Sequence, residues 1–364
     1  MKRTLLFSNQ GTRESDFYLL RLQNTPPALW RNVKTLAQRS GGVCSSYKYF
    51  GASSCQYQCH CLDNRNCDRQ TGRCSDQCDL GWFGPSCQYS MADYLAPDGQ
   101  RSLDWLSDDD PQTCNDRDDQ SITVALDRPL RLTWVRVVVK NPDGLNSLQL
   151  SYRTKQEPNT DVACVDAVTA RVNEETMDIV CPTSAVVKHV TLTGFGVRHL
   201  CSLYVSAGRN VALKQDTRQS STFSSWYARN AVDGDVGPID GTDGQLRKTC
   251  THTDSSYANP WWSVTFSSAV QLHEVVIYNR RNPSRSGCCE QRLVGFTLQA
   301  FNDSQDENEL FSYSDPRSSY LDIYYILPDP GLIEPVLKVK ISKDSIDSKI
   351  LTMCEVIVFG GELI

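Results

Sequence analysis

From residue 90 onward the chain repeats one pattern. Short runs rich in Val, Ile, Thr, Tyr and Leu alternate with polar positions and end at turn residues. They read SITVAL (121–126), LTWVRVVVK (132–140), SLQLSYR (147–153), HVTLTG (189–194), WWSVTF (261–266), LHEVVIYNR (272–280), GFTLQAF (295–301), VLKVKIS (336–342) and CEVIVFG (354–360). β-Branched and aromatic residues at a period of two suit a half-buried pleated surface. No long amphipathic helix interrupts them, which predicts a mainly β protein of sandwich or jelly-roll domains. Residues 1–43 show no such period, and a poorly ordered N-terminal segment is expected there, with a short helix around 28–39.

The β region repeats itself. DDDPQTC ends at Cys114 and is followed by a strand pair and then HLCSLYVSAG at 199–208; DGQLRKTC ends at Cys250 and is followed by a matching pair and then TMCEVIVFGG at 352–361. Self-similarity over a domain length implies tandem copies of one fold, here 90–207 and 208–364. The correspondence predicts the bridges Cys114–Cys201 and Cys250–Cys354, each tying an early loop to the last strand, with Cys164–Cys181 as an inner bridge of the first copy.

Composition adds a compartment. Sixteen cysteines in 364 residues point to an oxidising environment, and a net charge of −6 argues against a general binder of nucleic acid or anionic membrane. A hydrophobic fraction of 40% is enough for packed cores, yet no run is long enough to cross a membrane. The start, Met1-Lys2-Arg3 before Leu5-Leu6-Phe7, lacks the longer apolar stretch of a secretion signal, so the expectation is an extracellular chain whose true start is missing.

Eight of the cysteines crowd between 44 and 87, a density that suits a disulfide scaffold without a large core. Cys-His-Cys at 59–61 contains zinc-ligand types, but paired Cys-x2-Cys spacings are absent. Cys-Asp-x-x-Thr-Gly-x-Cys and Gly-Trp-Phe-Gly-x-x-Cys resemble EGF-like repeats of the laminin and multiple-EGF kind. The resemblance implies a module at 44–89, a partial repeat before one complete repeat, with Cys44–Cys55, Cys59–Cys67, Cys61–Cys74 and Cys78–Cys87 paired. It also implies that Trp82 or Phe83 covers a disulfide.

The second copy resembles the F-type lectin (fucolectin) domain, a jelly roll of the galactose-binding class. The resemblance rests on NVALKQ (210–215), QSS (219–221), NAVDGD (230–235), CTH (250–252), NPWW (259–262), VVIYNR (275–280), CCEQRL (288–293) and CEVIVFG (354–360). It implies structural calcium held by Asn230, Asp233, Asp235, Thr249, the Cys354 carbonyl and Glu355. These are hard oxygen donors, of which calcium takes six to eight. An Asx-rich turn without an ion would also account for Asn-x-x-Asp-Gly-Asp; a carboxylate directly after Cys354 favours the ion.

The resemblance further implies a fucose-type site built from His252, Arg292, a vicinal Cys288–Cys289 bridge and one more arginine. Arg280 has the strand-end position and Arg285 the spacing back from the cysteines, so both remain candidates. Neither His252 nor Arg292 is expected in the core. The sequence departs from the family at Gly287, where an aspartate is usual, and at Gln245-Leu246, where an aromatic pair is usual; Trp226 or Tyr227 could supply an apolar wall. Trp261 and Trp262 read as core and loop-packing residues. In the first copy Asn115 and Asp116 follow Cys114, no cysteine pair occurs, and Ser202 replaces the glutamate. Asp108, Asp110 and Thr113 persist there, and weak or no calcium and no sugar site are expected.

No phosphate loop, Gly-x-Ser-x-Gly elbow or His-Glu-x-x-His occurs, and the Asp-rich stretch at 108–119 reads as solvated loop, so no enzyme is expected. Asn302-Asp303-Ser304 is a glycosylation sequon. The expectation is an extracellular, calcium-dependent carbohydrate-binding lectin module whose partners are fucosylated glycans or cell-surface glycoproteins. The alternative is a protein-binding adhesion or receptor ectodomain that has lost sugar binding.

Overall fold

The computed structural model describes residue 44 and most of 49–362; outside the described residues lie 1–43, 45–48, 51–54, 56, 70, 76, 85, 98–101, 109, 111, 237–249, 257, 282–288, 317–318, 329–331, 345–348 and 363–364. The expected N-terminal segment and its short helix therefore fall outside. The protein is mainly β, and the helical turns among the described residues are short 3-10 turns. Among the described residues no helix is long and apolar enough to cross a membrane.

The disulfide-rich region carries two small hairpins, Tyr49–Phe50 with Tyr57–Gln58 and Trp82–Phe83 with Tyr89–Ser90. The structure joins Cys44 to Cys55, Cys59 to Cys67, Cys61 to Cys74 and Cys78 to Cys87. The sulfurs of Cys59, Cys61 and Cys67 lie close together, but each is in a disulfide, so no thiolate is left for zinc. Trp82 packs on the cystine cluster and stacks on His60, ring centroids 3.4 Å apart. Phe83 instead turns toward the first sandwich, 5.5 Å from the Tyr204 ring.

The first sandwich faces a five-stranded sheet against a four-stranded one. Tyr94–Leu95, Ser121–Arg131, Val186–Thr193, Gln149–Thr154 and Val162–Ala163 form the first, in that order; Val168–Arg171, Thr176–Val180, Trp134–Val139 and Leu200–Ser206 form the second. Alternate residues such as Val135, Val137 and Val139 fill the space between them with no exposure. Cys114–Cys201 ties an early loop to the last strand, and Cys164–Cys181 lies within this sandwich.

The second sandwich is built on one long strand, Trp261–Asn279. The sequence pattern predicts two strands here, 261–266 and 272–280. The structure keeps them continuous because the irregularity at exposed Ser267 and Ser268 is absorbed as a register shift against Val336–Lys343 between Thr265 and Val270. The first half of the long strand pairs with Asp216–Gln219, the second with Ile323–Ile326 and with the last strand, Met353–Glu362. Val264, Leu272, Val275, Phe296, Ile341 and Val356 belong to its core. Trp262 is fully buried and donates its indole N–H to the Ala228 carbonyl at 2.9 Å.

The parts touch. His273 Nδ1 reaches the Ala207 carbonyl at 2.6 Å and lies 3.1 Å from Thr133 Oγ1. Arg131 donates to the Leu332 carbonyl at 2.6 Å, and Arg128 pairs with buried Glu274. The disulfide module contacts both sandwiches, through Phe83 and Tyr89 on one side and Tyr49 and Tyr57 on the other.

Candidate functional site

One end of the second sandwich gathers the basic residues. The Cys250–Cys354 bridge fixes the loop 250–253 to the last strand, and Thr251 N–H donates to the Met353 carbonyl at 2.8 Å. Above this loop the turn 223–226 returns its backbone to His252: Phe223 N–H donates to the His252 carbonyl and His252 N–H to the Trp226 carbonyl. His252 is thus held from both sides and is only 7% exposed. This corrects the expectation that it lies outside the core, because the 223–226 turn covers it.

His252 Nδ1 lies 2.7 Å from the Thr253 carbonyl, and its Nε2 lies 2.9 Å from Arg292 Nη1. A carbonyl only accepts, so Nδ1 carries the proton and Nε2 accepts from the guanidinium. Burial, with the Arg292 and Arg280 charges adding to it, lowers the imidazole pKa below the ordinary histidine value despite the Thr253 bond. The ring is neutral and its tautomer is set.

Arg292 stands at the end of the turn Glu290–Arg292. Asn279 donates to the Glu290 carbonyl at 2.9 Å and Lys343 to the Arg292 carbonyl at 3.2 Å, which fixes the turn against two strands. Arg280 leaves the end of the long strand and lies over Trp226, 4.4 Å from the ring centroid. It is 8% exposed, and burial and the Arg292 charge lower its pKa. Two guanidinium groups, a neutral imidazole and aromatic faces thus converge. Such a set donates hydrogen bonds to neutral hydroxyls and offers apolar surface to ring carbons.

Cys289 is buried and disulfide-bonded, while Cys288 and Arg285 lie outside the described residues. Tyr227 carries Arg229 over its ring rather than a group of this cluster. Phe223, which the sequence pattern did not single out, lies 4.9 Å from the His252 ring and is 49% exposed. Its only sequence signal is its place beside QSS, three residues before Trp226.

The acidic loop is next to the same bridge. Asn230 is buried and donates to the Cys250 carbonyl at 3.1 Å. Burial pushes the Asp233 carboxyl up to about 6, with the Asp235 charge adding to the rise. Asp235 N–H donates to Asp233 Oδ1. Glu355 is 1% exposed; its Oε1 accepts from Gly234 N–H at 3.2 Å, while its Oε2 has no hydrogen-bond partner. Burial, then the Asp233 charge, holds its carboxyl well above the usual range. A buried carboxylate with an orphaned oxygen beside the Asp233 carboxyl fits a hard cation. Cys354 is buried beside them, and Thr249 lies outside the described residues.

In the first sandwich Thr113 Oγ1 donates to Asp108 Oδ2 at 2.6 Å, and Asp110 N–H donates to Asp108 Oδ1, so this turn bonds to itself. Ser202 is buried in the last strand. Asn302 is exposed in the turn between Phe296–Phe301 and Glu309–Ser314.

Residues 230–325 match the family described as NedA-like, galactose-binding domain, of the F5/F8 type C group. Fucolectin-4 of Anguilla japonica is 31% identical over 105 residues, which are 28% of this chain and 51% of that protein. The chain therefore spans about half the length of this curated relative. Among solved structures, the Streptococcus pneumoniae fucose binding module SpX-3 is 29% identical over 41% of this chain and 96% of its own, with a TM-score of 0.33. The fucolectin from serum of Morone saxatilis, the striped bass, is 21% identical over 75% of this chain and 96% of its own, with a TM-score of 0.34. Residues 230–325 thus match a galactose-binding-like domain family, and part of the chain is similar to a fucolectin.

Proposed function

We propose that residues 208–364 form a carbohydrate-binding module of an extracellular protein, with fucosylated glycans as the ligand class and no catalytic role. The observation that carries this reading is the convergence of His252, Arg280 and Arg292 with Trp226 and Phe223 beside the disulfide-bonded Cys289. Aromatic and planar cationic groups complement a sugar, which has an apolar face and a rim of hydroxyls. The similarity to a fucolectin supports fucose over other sugars. The bridges of the described residues, seven in number, support an oxidising compartment.

The binding is calcium-assisted in this reading. Asp233, Asp235, Glu355, Asn230, Thr249 and the Cys354 carbonyl would hold the ion, which would neutralise the carboxylates and tie the loop to the last strand. The module at 44–89 is EGF-like, and 90–207 is a degenerate copy of the lectin fold that serves as a spacer. A glycan array with and without chelator tests the whole. Fucose-dependent binding that chelator weakens is the expected result. An array without signal, from folded and calcium-saturated protein, would sink the sugar reading and leave the protein-binding one.

A further inference from the structure

The acidic loop of the second sandwich does not stand alone. Its Asp233–Gly234 peptide is a single rigid plane with two polar ends. The N–H end, from Gly234, donates inward to buried Glu355 Oε1 at 3.2 Å. The carbonyl end, from Asp233, accepts outward from Tyr49 Oη at 3.2 Å. Tyr49 belongs to the disulfide module, 184 residues earlier in the chain. One peptide unit therefore connects the module to the carboxylate that lacks a partner for its second oxygen.

Three further contacts hold the module to this place. Lys214, whose N–H donates to the Val232 carbonyl at the base of the loop, sets its ammonium 3.0 Å from the Tyr49 ring centroid. Gly234 has φ +87, and a Cβ built there would stand 2.7 Å from Gln58 Oε1, so the module covers the loop at its glycine. Arg209 of the second sandwich reaches Tyr57 Oη at 3.2 Å and lies over that ring at 4.2 Å. Tyr49, Tyr57 and Gln58 sit on one hairpin, whose start is stapled by Cys44–Cys55. The contacting groups are thus presented as one rigid piece.

We propose that the disulfide module is a clamp on the acidic loop: Tyr49 and Gln58 fix the outer side of the Asp233–Gly234 peptide while Glu355 holds its inner side, so cation occupancy of the loop and docking of the module are coupled. The proposal rests on the calcium reading given above. A cation that draws Glu355 toward it would pull on the Gly234 N–H and so on the peptide that Tyr49 holds, and releasing Tyr49 frees the peptide to leave Glu355. Coupling of this kind is reciprocal: whatever the module contributes to cation affinity, the cation returns to module docking. Tyr49 is a positioning residue here, since it touches the loop backbone rather than the carboxylate oxygens.

The test uses the whole chain, prepared metal-free and titrated with calcium. Calorimetry on the wild type, Tyr49→Phe and Tyr49→Ala gives the affinities, and hydrogen exchange on the wild type gives docking with and without calcium. Removing one neutral hydrogen bond is worth about two- to tenfold, so Tyr49→Phe is expected to weaken calcium by that factor, and Tyr49→Ala by more because the Lys214 contact goes too. Calcium is expected to slow exchange at the Tyr57–Gln58 hairpin, far from any ligand oxygen in sequence. A wild type that binds calcium while both variants bind it equally well and the hairpin exchanges at one rate would overturn the clamp and leave the calcium reading intact. A wild type that binds no calcium would overturn the calcium reading and the clamp with it. The exchange measurement needs no variant, so misfolding of Tyr49→Ala would not shelter the idea.

Discussion

His252 accepts a hydrogen bond from Arg292 at its Nε2, 2.9 Å away, while its Nδ1 is committed to the Thr253 carbonyl. The imidazole therefore orients the guanidinium. A proton added to Nε2 would turn this acceptor into a second donor pointed at a cation.

That arrangement makes glycan binding acid-sensitive. The His252 pKa is lowered by burial, so the ring stays neutral through the ordinary histidine range and protonates only below it. Affinity measured at saturating calcium is expected to be flat from pH 8 down to the ordinary histidine range and to fall below it. His252→Gln, whose amide can still accept from Arg292, is expected to flatten the acid limb. An unchanged limb in that variant would place the titrating group elsewhere.

Arg280 lies over Trp226 beside this cluster and Arg285 falls outside the described residues, so substitution has to decide between the two arginines. A planar guanidinium stacks on the ring, which an ammonium cannot copy. Arg280→Ala is expected to weaken glycan binding by more than about tenfold, the usual effect of removing a charged donor. Arg280→Lys is expected to recover only part of the loss, and Arg285→Ala to leave binding near wild type. The reverse order in surface plasmon resonance would assign the sugar contact to Arg285 instead.

Much of the fold could be read from local pattern, because alternating apolar positions and cysteine spacing are local signals. The Val135, Val137, Val139 face was visible in this way, and the link from Cys250 to Cys354 through the correspondence between the two copies. The continuity of Trp261–Asn279 was not, since Ser267-Ser268 looks like a turn until the partner strands are known. His252 and Arg292 could be named only through the family resemblance, and their mutual bond and the cover over His252 arise from chain segments far apart. Phe223 stayed hidden because a loop aromatic has no periodicity to mark it. The docking of Tyr49 and Phe83 was also invisible, because the sequence shows only that an aromatic residue is present and not which neighbour it will meet.

Glu355 yields a prediction of opposite sign with and without metal. Its carboxyl is buried, and Oε2 has no hydrogen-bond partner, an uncompensated cost in metal-free protein. Glu355→Gln keeps an oxygen for Gly234 N–H and removes the charge. In chelator this variant is expected to melt at or above the wild-type temperature. In millimolar calcium the wild type is expected to rise by mass action and the variant to stay where it was. A wild type insensitive to calcium, or a variant that rises equally, would remove Glu355 from the site.

The contact between the two sandwiches is expected to loosen in acid. His273 is 5% exposed, its Nδ1–H donates to the Ala207 carbonyl, and burial and the Arg131 charge lower its pKa to about 4. The unfolded chain has an ordinary histidine there, near 6.5. Between these values the unfolded state binds the proton and the folded state does not, so stability falls as pH drops through the window. It is fully present above the unfolded value and lost by the folded one. The gap between 6.5 and about 4 corresponds to a loss on the order of 3 kcal/mol at completion. His273→Asn keeps a donor near the Nδ1 position and cannot titrate. Urea midpoints compared at pH 7.5 and pH 4.5 are expected to fall further in the wild type than in His273→Asn. Small-angle scattering should show the wild type expanding over the same range. Equal acid losses in the two proteins would mean that other groups carry the titration and that His273 only fills space between the sheets.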